Sequence, residues 1–185
     1  MTDWFTTLDG LRARAWGMLA RGVADARHPC RLPTVCTTSP DGWPEARTMV
    51  LRSADQGAGL VTLHTDLQST KLASLQANPR VALHVWLRPQ ALQIRLQAEV
   101  TVQSGPDVRV LWDKIPDHAQ QSYGVTPPPG APIGAALEYV KQPDPATFAV
   151  LSCRVMQIDL VHLGDQHRRA AYSRSDDWAG QWLAP

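Results

Sequence analysis

The chain has 185 residues, 44% of them hydrophobic, which is enough for one domain with a buried core. Its 18 Lys and Arg against 17 Asp and Glu leave a formal net charge of +1, which argues against a nucleic-acid partner. Three widely spaced cysteines without a CxxC pair, a start unlike a signal peptide and no membrane-length apolar run predict a cytoplasmic protein with no membrane partner.

The first predicted element is a helix within residues 1–27. Apolar residues recur there at intervals of three and four, which puts them on one helical face. They are Trp4, Leu8, Leu11, Ala15, Trp16, Leu19 and Val23. Residues 31–185 predict a β-rich remainder with short inserted helices, so the expected fold class is mainly β with peripheral helices, in one domain over residues 1–185.

Strands are predicted from alternating or β-branched apolar runs bounded by turn residues. They span residues 32–38, 45–52, 59–65, 80–87, 92–102, 148–163, 168–174 and 180–183. Ser39-Pro-Asp-Gly42 is typical of a tight turn and makes the first two strands a hairpin. In the long strand the apolar parity slips after Val155, which indicates a β-bulge.

Short helices are predicted between these strands. Ser69 is a candidate N-cap and Asn78-Pro79 a stop for a two-turn helix. Residues 106–123 predict two short helical pieces, and the proline-rich residues 126–132 predict a rigid loop. A brief helix is expected to end near Val140.

The strongest local site is Thr65-Asp-Leu-Gln-Ser69-Thr-Lys71, where a strand runs into a helix. Hydroxyls, backbone N–H groups and one cation are the groups that bind a phosphate. The same residues also fit an ordinary capped helix with a solvated lysine. Arg47 and Arg52 precede this segment at positions of opposite parity, so a flat strand would direct only one of them at a given ligand.

Metal and nucleophile sites are not predicted. The six histidines show no HxH or HExxH spacing, and the chain contains no GxSxG motif or Walker A loop.

Taken in order, several motifs of the chain resemble the pyridoxamine 5'-phosphate oxidase superfamily of FMN-binding split β-barrels. They are Arg47-Thr-Met-Val-Leu51-Arg52, Thr65-Asp-Leu-Gln-Ser69-Thr-Lys71, Asn78-Pro79, Gln93-Ile94-Arg95 and Trp182-Leu-Ala-Pro185. The Thr-Asp turn, the tryptophan-rich N-terminal helix and the Pro-Pro-Gly loop are more similar to the oxidase-related subgroup than to the biosynthetic oxidase.

The resemblance implies a homodimer with FMN at the subunit interface. It places the FMN phosphate on Arg47, Thr65, Ser69 and Lys71, with Gln93 hydrogen-bonded to the flavin ring and Arg52 and His64 beside it. The implied cofactor-binding residues are Arg47, Thr48, Met49, Val50, Leu51, Arg52, His64, Thr65, Ser69, Thr70, Lys71, Gln93 and Arg169. Whether Arg168 or Arg169 contacts the flavin stays open.

The chain also departs from the family pattern. Thr70 stands where a second phosphate-binding cation is usual. Alignment on Pro116 puts Leu111, Ile115 and Ala119 where the oxidase binds the substrate phosphate with Tyr, Arg and Ser, and Ala170 where it has His. We therefore expect no efficient oxidation of pyridoxamine 5'-phosphate.

Two functions follow from the resemblance. The first is an FMN-dependent oxidoreductase acting on an unknown small molecule. The alternative is a non-catalytic cofactor-binding or carrier protein of the same fold that binds FMN, haem or a deazaflavin. A third possibility is an interaction module without a cofactor, which would require that the residues suited to binding phosphate occur together by chance.

Overall fold

A computed structural model describes residues 3–185, so Met1 and Thr2 of the predicted 1–27 segment lie outside it. The helices are α1 (Leu8–Ala24), α2 (Lys71–Ala77), α3 (Arg109–Trp112) and α4 (Asp117–Gln120). The strands are β1 (Thr34–Thr38), β2 (Pro44–Thr48), β3 (Leu51–Asp55), β4 (Leu60–Asp66), β5 (Arg80–Leu87), β6 (Leu92–Ser104), β7 (Val125–Thr126), β8 (Val140–Lys141), β9 (Phe148–His162), β10 (Arg168–Ser173) and β11 (Gln181–Leu183). The predicted class, mainly β with peripheral helices, is confirmed.

The main sheet curls into a barrel that a two-residue link closes. Its strands pair antiparallel in the order β3-β4-β9-β6-β5-β1-β2, so β3 and β2 stand at opposite ends of the row. Only Met49 and Val50 join these two strands. Three Cα–Cα steps span at most about 11 Å, so the two edges of the row must meet.

β9 is the central strand and pairs along its whole length with β6. Its first half also pairs with β4 and its second half with β10. The register shifts where Gln97 faces Gln157 and Ala98 faces Val155, which leaves Met156 as the extra residue. The predicted β-bulge after Val155 is therefore confirmed, and it bends the strand at the point where its neighbour changes.

Helix α1 packs against β3 and covers the barrel core. Thr7 caps the helix by accepting a hydrogen bond from the Gly10 N–H, so the helix begins at Leu8, and Trp4 precedes it instead of belonging to it. Its buried residues Leu11, Ala15, Trp16 and Leu19 come from the predicted apolar face. Within residues 3–185 no helix is long and apolar enough to cross a membrane.

A smaller apolar cluster forms outside the barrel, between α3 and the start of β9. Its buried members are Val108, Trp112, Ile115, Tyr123, Phe148 and Val150. The aromatic rings of Trp112, Tyr123 and Phe148 pack edge-on or tilted against each other. This cluster supports the segment between β6 and β9, which lies next to the candidate site.

Three local predictions are wrong. The strand predicted over 45–52 is two strands, because the chain leaves β2 at Met49 and changes its pairing partner from β1 to β4. The helix expected to end near Val140 is absent from residues 131–140, where the Glu138 carboxylate accepts hydrogen bonds from the Gly134 and Ala135 N–H groups and closes turns instead. Ser69 is not the N-cap of α2, since its hydroxyl is bonded elsewhere and Thr70 occupies that position.

Candidate functional site

The ammonium group of Lys71 is held by two buried hydroxyls. Lys71 Nζ donates to Thr65 Oγ1 at 3.0 Å and to Ser69 Oγ at 2.9 Å, and Ser69 Oγ in turn donates to the Asp66 carbonyl at 2.7 Å. Among residues 3–185, no carboxylate forms an ion pair with Lys71. A half-buried cation is thus fixed in position with its charge unbalanced.

The surroundings of Lys71 make that charge costly. Burial lowers the pKa of Lys71, the nearby Arg47 guanidinium lowers it further, and Asp66 opposes both effects. Bringing an anion to this place would relieve the repulsion between the two cations. The electrostatics therefore favour a bound anion such as a phosphate.

Arg47 lies beside the Lys71 group and is engaged by a carboxylate. Its guanidinium donates to Glu45 Oε2 at 2.8 Å and to Thr37 Oγ1 at 2.6 Å. Glu45 Oε2 also accepts from the Ser74 hydroxyl of α2 at 3.1 Å. Arg47 thus contributes charge near the site while its hydrogen bonds go to protein groups.

A cavity of about 310 Å³, here called the Lys71 cavity, opens beside these groups. Eight of the predicted cofactor-binding residues line it, together with four that the prediction did not include. The predicted ones are Thr48, Met49, Val50, Arg52, His64, Thr65, Ser69 and Lys71; the additional ones are Asp66, Ser122, Tyr123 and Pro129. The proline-rich run was the signal for a rigid loop, but nothing in the sequence tied that loop to this cavity.

Arg52 reaches the cavity because β3 is bulged at that position. Leu51 pairs with Leu63 and Ser53 with Thr62, so Arg52 is the extra residue of the strand. Of the two arginines only Arg52 lines the cavity, as the parity argument expected, although the two residues lie on separate strands and not on one flat strand. Leu51 is fully buried in the core.

Two nitrogen atoms at the cavity wall lack hydrogen bonds. Arg52 Nε and His64 Nδ1 are buried and have no partner within residues 3–185. Burial, and then the positive charge of Arg52, lower the pKa of His64 to about 4, so its imidazole is neutral near pH 7. Because buried polar groups are normally paired, these atoms suit a polar ligand.

Asp66 attaches the covering loop, residues 121–147, to this wall. One carboxylate oxygen accepts from the Gln68 N–H at 2.7 Å and the other from the Gly124 N–H at 2.7 Å. The loop thereby brings Ser122 and Tyr123 over the cavity. Thr70 is exposed and faces Gly130 of the same loop instead of the cavity.

Gln93 and Arg169 do not line the Lys71 cavity and lie in another part of the sheet. Both stand opposite Val161 of β9, one on each side, so the three residues form a row across the sheet. Arg169 and Arg95 share the Asp159 carboxylate at 2.8 and 2.6 Å. His64, by contrast, pairs with Val150, eleven residues earlier in β9 and about 35 Å away along an extended strand.

Comparison with known proteins identifies the family to which this chain belongs. A family model described as "Pyridoxamine 5'-phosphate oxidase, FMN-binding domain" matches residues 14–104. A pyridoxine/pyridoxamine 5'-phosphate oxidase from Granulibacter bethesdensis is 30% identical over 92% of the chain, which spans 72% of that relative. The chain spans about two thirds of the length of such relatives, with values from 62% to 72%.

Two solved structures share the fold. A pyridoxamine 5'-phosphate oxidase-related, FMN-binding protein from Nostoc punctiforme superposes with a TM-score of 0.76 at 23% identity, covering 94% of this chain and 97% of that one. PhzG from Burkholderia lata, solved in complex with tetrahydrophenazine-1-carboxylic acid, gives 0.73 at 20% identity and covers 94% and 91%. The predicted split β-barrel is confirmed, and the chain belongs to the pyridoxamine 5'-phosphate oxidase family.

Proposed function

We propose that the Lys71 cavity binds FMN, with the FMN phosphate on Lys71, Thr65 and Ser69. The observation that carries the proposal is the Lys71 ammonium, which is fixed by two hydroxyls and has no carboxylate partner among the described residues. A phosphate dianion supplies the missing negative charge and accepts charge-assisted hydrogen bonds. Arg47 adds long-range attraction from its place beside Glu45.

We assign the flavin ring to the part of the same cavity that Arg52 and His64 line. Arg52 Nε and His64 Nδ1 lie there without partners, and flavin carbonyl and ring nitrogen atoms offer hydrogen bonds to both. A bound FMN would supply electron transfer, while the protein supplies binding, orientation and electrostatics. The function we infer is a flavin-dependent oxidoreductase acting on a small molecule.

A second copy of the chain completes this site in our proposal. Gln93 and Arg169 belong to the predicted cofactor-binding set, but the pairing of β9 separates them from the Lys71 cavity by about 35 Å along the strand. A twofold symmetric dimer can bring the row of one chain to the cavity of the other. The proposed assembly is therefore a homodimer with two equivalent FMN sites.

Reconstitution with FMN tests the proposal. We expect the purified protein to quench the fluorescence of added FMN on binding and to release FMN on denaturation. Lys71→Ala should weaken binding by about 1.5–3 kcal/mol, roughly ten- to hundredfold, the usual scale for a hydrogen bond to a charged group. Lys141→Ala removes an exposed lysine of β8 and is the matched control.

Two results would count against the proposal. Absence of FMN uptake would reject FMN as the cofactor. Equal affinities of the wild type and Lys71→Ala for FMN would reject Lys71 as part of the phosphate site. FMN that binds but is neither reduced nor reoxidised in the presence of candidate substrates would instead favour a non-catalytic carrier.

A further inference from the structure

A second cavity, here called the Lys114 cavity, adjoins the Lys71 cavity on the outer face of the barrel. Its volume is about 460 Å³, and it shares Arg52 and His64 with its neighbour. The rest of its wall comes from strands β3, β4, β6 and β9, from α3 and from the segment that follows α3. Because Arg52 and His64 line both cavities, the two cavities lie next to each other.

The charge in this cavity is positive and uncompensated. Arg52 and Lys114 line it, no Asp or Glu does, and neither cation forms an ion pair within the described part of the chain. These features select a negatively charged group.

Most of the remaining polar groups on the wall are already paired with each other. The hydroxyls of Ser53 and Thr62 lie 2.8 Å apart, and the Ser152 hydroxyl donates to Gln103 Oε1 at 2.7 Å. The other surface is apolar and includes Leu111, Ile115 and Val150. The cavity thus offers two cations and an apolar wall, with few donors to spare.

We propose that the Lys114 cavity binds an organic monocarboxylate with an apolar body, its carboxylate held by Arg52 and Lys114 and its body against Leu111 and Ile115. The inference rests on the proposed function, because it assigns the reacting molecule to the space next to the FMN site. A carboxylate matches this cavity because each of its two oxygens can accept a charge-assisted hydrogen bond from one of the two cations.

Calorimetric titration with 1-naphthoate tests the inference, both on FMN-loaded protein and on protein freed of FMN. We expect 1-naphthoate to bind at least tenfold more tightly than the uncharged 1-naphthalenemethanol, the scale of one charge-assisted hydrogen bond. Equal binding of the uncharged compound would overturn the proposal.

Variants locate the carboxylate. Lys114→Ala should weaken 1-naphthoate binding about tenfold while FMN affinity stays unchanged, and Lys114→Arg should retain both. Lys141→Ala should change neither affinity. Leu111→Arg adds a cation at a partly exposed position and should move the preference toward 1-naphthyl phosphate. Unchanged 1-naphthoate binding in Lys114→Ala would contradict the assignment.

The two proposals fail in different ways. Loss of FMN uptake with 1-naphthoate binding retained in FMN-free protein would reject the FMN site and support the monocarboxylate site. FMN binding without discrimination among the naphthyl compounds would reject the monocarboxylate site alone.

Discussion

At the scale of single residues, the surroundings of Lys71 and His64 affect the charge of the two side chains differently. The Lys71 ammonium is oriented by two hydroxyls, and burial and then the Arg47 guanidinium lower its pKa. His64 is pushed toward the neutral form by burial and by Arg52, and its ring packs edge-on against Phe148 at 4.9 Å. One residue therefore supplies charge to the candidate site, and the other supplies a hydrogen bond without charge.

His64 should make the protein less stable in acid. In the unfolded chain a histidine binds a proton near pH 6.5, whereas in the folded protein the pKa of His64 is about 4. Between these values the unfolded state binds the extra proton, so the free energy of unfolding falls as the pH falls from 6.5 toward 4. Urea unfolding of the wild type and His64→Gln across this range should show a shallower decline in the variant.

The other histidines do not obscure that comparison. His28 and His162 also have pKa values lowered by burial, but both remain in His64→Gln, so the difference between the two proteins reports on His64. Parallel pH dependences in the two proteins would show that His64 is not responsible.

Substrate choice also belongs to this scale. Leu111 and Ile115 line the Lys114 cavity, and Ala119 packs against the smaller apolar cluster, so none of the three offers a cation or donor to a substrate phosphate. We predict that FMN-saturated protein oxidises pyridoxamine 5'-phosphate with a kcat/KM below about 10⁴ M⁻¹ s⁻¹, the low end for ordinary enzymes. Steady-state formation of pyridoxal 5'-phosphate measures this, and a higher value would show that other residues bind the phosphate.

At the scale of elements, the covering loop depends on one close backbone contact. Gly124 has φ +87°, and a Cβ there would lie 2.2 Å from the Gln142 carbonyl oxygen, so no other residue fits without moving the loop. We predict that Gly124→Ala breaks the Asp66 contact, speeds proteolysis within residues 121–147 and weakens FMN binding.

Gly57→Ala is the control for this prediction. Gly57 has an ordinary backbone, and a Cβ there would come no closer than 3.4 Å to Asp55 Oδ1. It should leave proteolysis and FMN affinity unchanged. Equal behaviour of Gly124→Ala and the wild type would show that the loop is held by other contacts.

Most elements were predictable because the chain alternates cleanly. The period of two in residues 92–102 identifies β6, and the slip after Val155 identifies the bulge at Met156. The break between β2 and β3 was not predictable, since Met49 and Val50 are compatible with a continuous strand. The two strands differ only in their pairing partners, β1 for β2 and β4 for β3. The contact of Asp66 with Gly124 spans 58 residues and leaves no local pattern.

The site was predictable to the same extent. The residues within one contiguous stretch, such as Thr65 and Lys71, lie together as expected. Arg47 does not line the cavity, because Glu45 competes for its guanidinium, and this competition depends on the fold of β1, β2 and α2 together.

At the scale of the whole molecule, the homodimer is the assembly to test. We predict a dimeric mass by light scattering in the presence of FMN, and we predict that Lys71→Ala and Arg169→Ala chains complement each other when refolded together. With random pairing of the two chain types in a symmetric dimer, about one site in four receives both intact halves. FMN binding should rise above that of either variant alone.

The chain carrying both substitutions is the control, since no pairing of it restores a site. A mixture that binds only the average of the two separate variants would place Lys71 and Arg169 in independent roles, and a monomeric mass would exclude the shared site.

Within residues 3–185, β2 and β3 are connected by the chain but share no ladder of hydrogen bonds. Every other pair of adjacent strands in the barrel is hydrogen-bonded. Local opening is favoured where backbone hydrogen bonds are few, so we expect the barrel wall to separate most readily at this link. Thr48, Met49 and Val50 form that link and also line the Lys71 cavity. We therefore expect a ligand bound in the Lys71 cavity to hold β2 and β3 together across a gap that no strand pairing spans.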